Sequence, residues 1–502
     1  MIPSPLYRAA GLRAIETAAR AQPLMQRAGL AAAELASRLL RDRQAPVLIL
    51  AGPGNNGGDG FEAGLHLRRA FCDVRLVFSG DAAKQPADAA AAHQRFIDAG
   101  GDILTAIPEA ARWGLIIDAL FGIGLQRAPA GRHAELIGAA NTLARRDRCP
   151  LLALDCPSGL DADTGSHFDA VIRATHTLTF IAGKPGLVTA DGPDCCGELH
   201  LASLALDAAS LAPPDGEIVC REAFGRWLQP RPRNSHKGSN GSVGILGGAP
   251  GMVGAAFLAG HAAMLLGAGR SYLGLIDPAA PAFDPGRPEL MLRSPQRLLD
   301  AAQTPLTALA CGPGLGTDPA RVALLEVAAA RDLPLVLDAD ALNLLAAEGN
   351  LEVSVATRRA PTLLTPHPAE AARLLGSDVG SVQADRIAAA QALAAQFNAH
   401  VALKGCGTVL AAPDGRWRIN TTGNPGMGTA GMGDVLTGIV VALLAQGWPA
   451  SEALAGGVHL HGAAADALAS GSDGIGEIGL TASETIPAAR RLRNAWVAPG
   501  DW

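Results

Sequence analysis

Short apolar runs alternate with longer helical stretches along the first half of the chain. Four of these runs, at residues 47–51, 74–78, 115–119 and 151–155, are predicted to be buried strands. Apolar runs of this length separated by helices are typical of parallel βαβ units, in which helices cover both faces of the sheet. The first half is therefore predicted to be a parallel α/β domain.

Polar or glycine-rich segments lie at the ends of three of these strands, at residues 52–60, 118–124 and 155–159. Ligands of open α/β sheets bind at the carboxyl ends of the strands. We therefore expect the three segments to converge on one site.

The apolar periodicity stops near residues 211–216, and a second series of strands begins only at residue 243. This break predicts two domains, 1–212 and 213–502. The second domain is also predicted to be α/β, with strands at 243–246, 271–276, 308–311, 335–337 and 401–403.

Composition narrows the functional classes. Hydrophobic residues make up 49% of the chain and charged residues 18%, which predicts a globular protein. The net charge is −6 and no basic stripe is interleaved with aromatic residues, so a nucleic-acid polymer is not an expected partner. The low charge and abundant alanine are compatible with a homo-oligomer.

The cysteines form no CxxC pair, and the N-terminus has no secretory pattern. Both features favour a reduced, cytoplasmic protein. Residues 251–269 are apolar, but their glycines and other small residues favour a buried helix over a membrane span. We expect no membrane partner.

Residues 52–60 contain five glycines after a predicted strand and before a helical run over 61–71. Such a turn allows backbone N–H groups to approach a phosphate, although a tight turn without a ligand explains the glycines equally well. The segment matches neither the GxGxxG nor the Walker pattern.

Three segments, at 55–60, 118–125 and 155–161, together resemble the YjeF N-terminal family of NAD(P)HX epimerases. The resemblance runs from about residue 10 to about residue 210 and implies a Rossmann-like three-layer α/β/α domain. It implies a substrate site formed by Asn55, Asn56, Gly57, Gly58, Asp59, Gly122, Ile123, Gly124, Leu125, Gln126, Arg127, Ala128 and Asp155. It also implies a potassium site formed by Asn56, Asp118 and Ser158, whose oxygens are hard donors.

Asp155 directly follows a predicted apolar strand and is our candidate for the acid–base group of this domain. The alternative is that Asp155 caps its turn and orients Ser158. Lys184 stands where the family also carries a lysine, and a solvated turn residue is the competing interpretation. Asp161 and Asp163 are expected to stabilise their loop.

In the second domain, a glycine-rich segment at 424–434 precedes a helix predicted to begin at Val435. Backbone N–H groups and a helix N-terminus can surround a phosphoryl group in transfer. Asp434 is then placed to accept a proton from an attacking hydroxyl. The alternative is that Asp434 is a simple N-cap. Gly-x-Gly-Asp at the start of a helix resembles the anion hole of ribokinase-like enzymes, which implies a ribokinase-like α/β/α domain.

Five segments in this order, at 237–241, 338–343, 365–368, 404–408 and 431–434, resemble the ADP-dependent NAD(P)HX dehydratase family. The resemblance spans about 220 to 495. It implies that ADP, with Mg²⁺ on its phosphates, contacts Lys404, Gly405, Cys406, Gly407, Thr408 and Gly433. It implies that the hydrated dinucleotide contacts Ala255, Gly316, His367 and Asp434, with Gly314 as the alternative to Gly316 and a structural role as the alternative for His367.

The two resemblances imply a bifunctional metabolite repair enzyme. The first domain would epimerise the R and S forms of NADHX and NADPHX. The second would convert the S form to NAD(P)H with ADP, giving AMP and phosphate. A vitamin-precursor kinase is the alternative for the second domain, and a binding module that only scaffolds the catalytic half is the alternative for the first.

Overall fold

The computed structural model describes residues 5–108, 112–125, 127–470 and 474–497. The chain divides into two compact units, Met1–Ile218 and Val219–Trp502. The boundary expected from the sequence, after residue 212, lies a few residues earlier. Both units are α/β.

The first unit contains one parallel sheet in the order β3-β2-β1-β4-β5-β6-β7. Its strands are β1 (Val47–Ala51), β2 (Val74–Phe78), β3 (Ile103–Leu104), β4 (Leu115–Ala119), β5 (Leu151–Leu154), β6 (His176–Phe180) and β7 (Glu198–Ala202), and β8 (Glu217–Ile218) ends the unit. Its helices are α1 (Ala9–Ala18), α2 (Leu24–Leu39), α3 (Asn55–Arg69), α4 (Ala87–Asp98), α5 (Arg132–Asp147), α6 (Gly192–Cys196) and α7 (Ala208–Leu211), with 3-10 turns at Ala82–Lys84 and Pro185–Leu187.

Helices cover both faces of this sheet because alternate residues of each strand point to opposite sides. In β1, Val47, Ile49 and Ala51 belong to one hydrophobic core, and Leu48 and Leu50 belong to another. The two cores make the first unit a three-layer α/β/α domain, as predicted. The four predicted strands are confirmed.

The strands of the second unit are arranged in the order β11-β10-β9-β12-β13-β14-β15-β16-β17. They are β9 (Ser242–Gly247), β10 (Arg270–Leu275), β11 (Met291–Arg293), β12 (Ala308–Cys311), β13 (Leu335–Leu337), β14 (Thr362–Leu364), β15 (His400–Leu403), β16 (Thr408–Ala411) and β17 (Trp417–Asn420). Pairing is parallel from β11 to β15 and antiparallel from β15 to β17.

Eleven helices accompany these strands in the described part of the second unit. They are α8 (Val253–Leu265), α9 (Pro295–Leu299), α10 (Val322–Ala329), α11 (Asp340–Ala347), α12 (Gly349–Ala356), α13 (Pro368–Leu374), α14 (Val379–Ala384), α15 (Arg386–Gln396), α16 (Met432–Ala445), α17 (Ala450–Ala469) and α18 (Ala482–Trp496). Short 3-10 turns lie at Arg221–Ala223, Gly225–Trp227, Pro319–Arg321 and Pro425–Met427.

The apolar stretch at 251–269 contains α8, whose Ala256, Ala259 and Ala263 are buried in the core of the second unit. A Cβ on Gly438 of α16 would lie 2.2 Å from the carbonyl oxygen of Ala259, so these two helices pack in close contact. Within the described residues, no helix has both the length and the apolar character needed to cross a membrane.

Two candidate active sites

The three expected segments of the first unit meet at the carboxyl ends of β1, β4 and β5. The backbone N–H of Gly52 donates to the carbonyl oxygen of Ala119, and that of Phe121 donates to Ser158 Oγ at 2.8 Å. The predicted convergence is confirmed.

Asp155 lies at the centre of this site with a left-handed backbone, at φ 65°. Its Oδ2 accepts a hydrogen bond from the backbone N–H of Ile123 at 3.0 Å, and its Oδ1 lies 2.8 Å from Lys184 Nζ. A Cβ on Gly122 would lie 2.5 Å from Asp155 Oδ2, so only glycine leaves room for the carboxylate there. Asp155 therefore fixes the 122–125 segment.

The ammonium of Lys184 is buried, with its side chain 1% exposed. Besides the ion pair, Lys184 Nζ donates to Thr179 Oγ1 at 2.6 Å. The interpretation of Lys184 as a solvated turn residue is therefore wrong. Burying an ammonium is costly unless it is paired, and Asp155 supplies the counter-charge.

Two further carboxyl groups influence this site electrostatically. Burial raises the pKa of Asp59 well above its ordinary value, and the negative charge of Asp155 adds to the effect. Burial and Asp155 also raise the pKa of Glu16, which lies on α1. Burial and the charge of Asp155 thus favour the protonated form of both groups. Sequence reasoning missed Glu16, because a single glutamate on an amphipathic helix carries no motif.

The glycines at 57, 58 and 60 differ from the prediction in their secondary structure. Helix α3 begins at Asn55, so they lie within the helix and not in a loop before it. A Cβ on Gly57 would lie 2.0 Å from the carbonyl oxygen of Gly52, and one on Gly60 would lie 2.6 Å from Ala119 Cβ. These two glycines allow α3 to pack closely on the protein itself, which overrides the low helix propensity of the segment.

Asp118 and Ser158 form a buried pair. Asp118 is 0% exposed and accepts hydrogen bonds from the backbone N–H and the Oγ of Ser158, at 2.8 and 2.7 Å. Burial raises the pKa of Asp118 to about 6. Ser158 is thus oriented by Asp118, so the part of the alternative that has Asp155 orient Ser158 is wrong.

Asn56 is 8% exposed, and neither its amide nitrogen nor its amide oxygen has a hydrogen-bond partner. A buried amide without a protein partner is costly, so this amide is a candidate contact for a bound ion, ligand or water. Its oxygen, the Asp118 carboxylate and the Ser158 hydroxyl are the donor types that a monovalent cation takes.

The remaining predicted residues lie on the same strand ends and loops. Leu125 donates to the carbonyl oxygen of Gly122 in a turn, whereas Gly124, Arg127 and Ala128 are exposed. Gln126 lies outside the described residues. Asp161 accepts hydrogen bonds from two backbone N–H groups of its own loop, and Asp163 accepts one from Ala9, so their predicted structural role is confirmed.

In the second unit, Asp434 lies in the first turn of α16. The helix begins at Met432, three residues before the predicted start, and its N-cap is Gly431 at φ 90°. The interpretation of Asp434 as the N-cap is therefore wrong. First-turn N–H groups have no partner within their helix, so this segment can surround an anion beside the carboxylate.

The pKa of Asp434 is raised to about 7, mainly by burial and in addition by the neighbouring negative charges of Asp338 and Asp340. Lys404 opposes them. A carboxyl group poised near neutrality is suited to take up a proton during a reaction.

Lys404 is paired with Asp338, and Asp338 also binds a hydroxyl. Lys404 Nζ lies 2.8 Å from Asp338 Oδ1 and 3.9 Å from Glu370 Oε2. Thr437 Oγ1 of α16 donates to Asp338 Oδ2 at 2.8 Å. Burial disfavours the ammonium, but Asp338 and Glu370 outweigh burial and raise the pKa of Lys404. Lys404 stays charged beside Asp434.

The segment from Lys404 to Gly407 connects β15 and β16 as a hairpin loop. Gly405 adopts φ 140°, and a Cβ there would lie 2.8 Å from the guanidinium of Arg386. That guanidinium is buried and donates to the carbonyl oxygens of Leu403 and Lys404, at 3.1 and 3.2 Å. Arg386 thus fixes the loop predicted to contact the nucleotide, and it was missed by sequence reasoning.

Gly316 is partly exposed, and its backbone N–H donates to Asp340 Oδ2 at 2.8 Å. Gly314 is buried, and a Cβ there would lie 2.5 Å from the carbonyl oxygen of Met252 and 3.2 Å from Ala255 Cβ. Of the two glycines, Gly316 is the one with a surface available to a ligand.

His367 is the N-cap of α13. Its Nδ1 accepts hydrogen bonds from the backbone N–H groups of Ala369 and Glu370, and Glu370 Oε2 accepts one from the backbone N–H of His367 at 2.8 Å. Burial lowers the pKa of His367. His367 therefore has a structural role, and its exposed ring leaves the predicted substrate contact possible.

Two protein-family models match the chain, one in each unit. Residues 21–186 match the family model described as YjeF-related protein N-terminus, and residues 243–487 match the model described as NAD(P)H-hydrate dehydratase. The bifunctional NAD(P)H-hydrate repair enzyme Nnr of Escherichia coli is 39% identical over 89% of this chain and 85% of its own length. The chain belongs to the bifunctional NAD(P)H-hydrate repair enzyme family. The Leishmania major member is 37% identical over 98% of this chain and 94% of its own length.

In this member of the repair-enzyme family, the second unit resembles a solved structure, which supports its ribokinase-like fold. The ADP/ATP-dependent NAD(P)H-hydrate dehydratase of Bacillus subtilis, co-crystallised with ATP and Mg²⁺, is 31% identical. It covers 56% of this chain and 98% of its own length, with a TM-score of 0.50.

Proposed function

We propose that this chain epimerises hydrated NAD(P)H in its first unit and dehydrates the S form in its second unit with ADP, giving AMP and phosphate. The observation that carries the proposal is the position of Asp434 in the first turn of α16, beside the Lys404–Asp338 pair. The dehydratase model matched by the same region favours this reaction over the kinase alternative.

In the dehydration, Asp434 takes the proton of the substrate hydroxyl, whose oxygen attacks the terminal phosphorus of ADP. The bond to the AMP oxygen breaks, and AMP leaves. Hydroxide is a poor leaving group near neutral pH, but the phosphate now bonded to the ring carbon is a good one. The lone pair of the ring nitrogen expels phosphate, and loss of a proton from the adjacent carbon restores the dihydropyridine.

The first-turn N–H groups of α16 stabilise the phosphoryl oxygens during transfer, and Lys404 adds a fixed positive charge. Mg²⁺ on the nucleotide would neutralise further phosphate charge. Among the nearby carboxylates we propose Asp340 to hold it. Both carboxylate oxygens of Asp338 are bound, to Lys404 and Thr437, whereas the hydrogen bond from Gly316 occupies only Oδ2 of Asp340. Carboxylate oxygen is the donor type that Mg²⁺ prefers.

In the epimerisation, we propose that Asp155 and Lys184 exchange protons with the substrate, with Asp59 near enough to influence them electrostatically. Asn56, Asp118 and Ser158 would hold K⁺, which supplies a positive charge beside the buried carboxylate. The orphaned amide of Asn56 supports this site. No disulfide joins any of the eight cysteines, all of which lie in the described residues, in keeping with the proposed cytoplasmic location.

The test uses the full chain with epimeric NADHX, ADP, Mg²⁺ and K⁺, following the NADH absorbance and released phosphate together. Complete conversion is expected, with one phosphate per NADH. Asp434→Asn should produce no ADP-dependent NADH while still interconverting the epimers.

Asp155→Asn is the matched variant for the first unit. It should convert the S form of NADHX to NADH, whereas the R form should react only as fast as it epimerises spontaneously. Unchanged epimerisation in this variant would remove Asp155 from the mechanism. Epimerisation no faster than the spontaneous rate in the wild-type chain would favour the scaffold alternative for the first unit. A phosphorylated metabolite without NADH formation would favour the kinase.

A further inference from the structure

Three metal-ligating side chains lie together on the first sheet, away from the proposed epimerase site. They are His176 on β6 and Glu198 and His200 on β7. In the parallel register His176 pairs with Glu198. His200 is two residues beyond Glu198, so strand alternation places both on the same face.

The ligand atoms approach one another at the spacing that a small metal ion requires. His176 Nδ1 lies 3.2 Å from His200 Nε2 and 3.7 Å from Glu198 Oε2, and His200 Nε2 lies 3.7 Å from Glu198 Oε1. Ligands about 2.0–2.2 Å from a tetrahedral zinc ion are themselves separated by about 3.3–3.6 Å. Only small side-chain movements are needed to place all three around one ion.

The donor set of the cluster also suits a cation. A neutral imidazole is the form that binds metal. Two neutral imidazoles and one carboxylate leave a bound divalent ion with a single net positive charge.

Because the strands are parallel, the cluster at their amino ends lies on the opposite side of the sheet from the Asp155 site at their carboxyl ends. His176 and Glu198 begin their strands, whereas Asp155 follows the end of β5. The side chain of Glu198 is 68% exposed, and those of His176 and His200 are 19% and 25% exposed, so an ion can enter from solvent. One coordination position would stay open to water or another ligand.

We propose that His176, Glu198 and His200 form a binding site for a divalent transition-metal ion, with zinc as the best match to the two nitrogens and one oxygen. This donor set differs from the all-oxygen set proposed for K⁺ and from the carboxylate proposed for Mg²⁺.

The experiment titrates Zn²⁺ into the metal-free full chain in competition with a chromophoric chelator, with excess Mg²⁺ and K⁺ present. One equivalent is expected to bind. His176→Gln and His200→Gln should each lower the affinity at least about tenfold, since even the loss of an indirect partner of a metal ligand costs that much. His167→Gln, at an exposed histidine outside the cluster, is the matched control and should bind like the wild type.

Glu198→Gln serves as the second variant because its exposed side chain is not needed for packing, and it should also weaken binding. Substituting Co²⁺ should give the intense visible absorption of a four-coordinate ion. Stoichiometric Zn²⁺ binding that is unchanged in all three cluster variants would overturn the proposal. So would the absence of a bound equivalent in the wild type, which would leave the His176–His200 contact as an ordinary hydrogen bond.

Discussion

Lys404 and Asp338 form an ion pair at 2.8 Å although they are 66 residues apart in the chain. Asp338 directly follows β13, and Lys404 directly follows β15. Both strands flank β14 in a parallel array, which brings their carboxyl ends to one edge of the sheet. The pair lies beside Asp434 and sets the charge around it.

Replacing Asp338 with Asn should move the acid limb of the dehydratase pH profile to lower pH. A base must be deprotonated, so kcat/KM of the wild type should fall as the pH drops through the Asp434 pKa of about 7. The variant removes a negative charge that raises this pKa and frees Lys404, whose charge lowers it. Rates measured from pH 5 to 9 test the shift, and an acid limb at unchanged or higher pH would contradict the assignment.

Gly122→Ala should abolish most epimerase activity without affecting the dehydratase. The new Cβ would lie 2.5 Å from Asp155 Oδ2, so the carboxylate or the 122–125 segment has to move. A displacement of this size at a reacting group can cost about 100-fold in rate. Gly138→Ala on α5 is the matched control, because no atom lies within 4 Å of its added Cβ. Equal epimerase rates in the two variants would argue against Asp155.

Arg386→Ala should raise the KM for ADP through disorder of the 404–407 loop. The carbonyl oxygens of Leu403 and Lys404 lose a charged hydrogen-bond donor. Each such hydrogen bond contributes about 1.5–3 kcal/mol to stability. Because folding also suffers, melting temperature is measured in parallel and assays are run well below it. Arg416→Ala, whose side chain is 76% exposed on the next hairpin, is the control. A stable Arg386→Ala protein with an unchanged KM for ADP would exclude the role.

Potassium should stabilise the wild-type chain against thermal unfolding, and Asn56→Ala should remove this effect. Loss of the Asn56 side-chain contacts alone would lower the free energy of unfolding. Without K⁺, the variant should be about 1–3 kcal/mol more stable than that loss predicts, because it no longer buries an unsatisfied amide. Melting curves in KCl and in tetramethylammonium chloride make the comparison. If K⁺ raised the melting temperature equally in both proteins, Asn56 would not be a ligand.

Much of the fold was readable from local sequence. The strands at 47–51, 74–78, 115–119, 308–311 and 335–337 have the predicted bounds. Each is a mainly apolar run, and such runs are typical of strands that are buried in a parallel sheet. The strands at 176–180, 198–202, 408–411 and 417–420 were missed. Their polar residues, including His176 and His200, break the apolar pattern, and only pairing with neighbouring strands makes them regular.

The sequence by itself determined the parallel α/β architecture, the glycine-rich segments and the two carboxylates Asp155 and Asp434. Each of these features can be recognised from residues that are adjacent along the chain. The tertiary structure decided that α3 begins at Asn55, since close packing of Gly57 and Gly60 outweighs their poor helix propensity. It also decided the partners of those carboxylates. Lys184, Asp338 and Arg386 act through ion pairs and hydrogen bonds between distant segments, and those contacts exist only once the sheets bring the strand ends together.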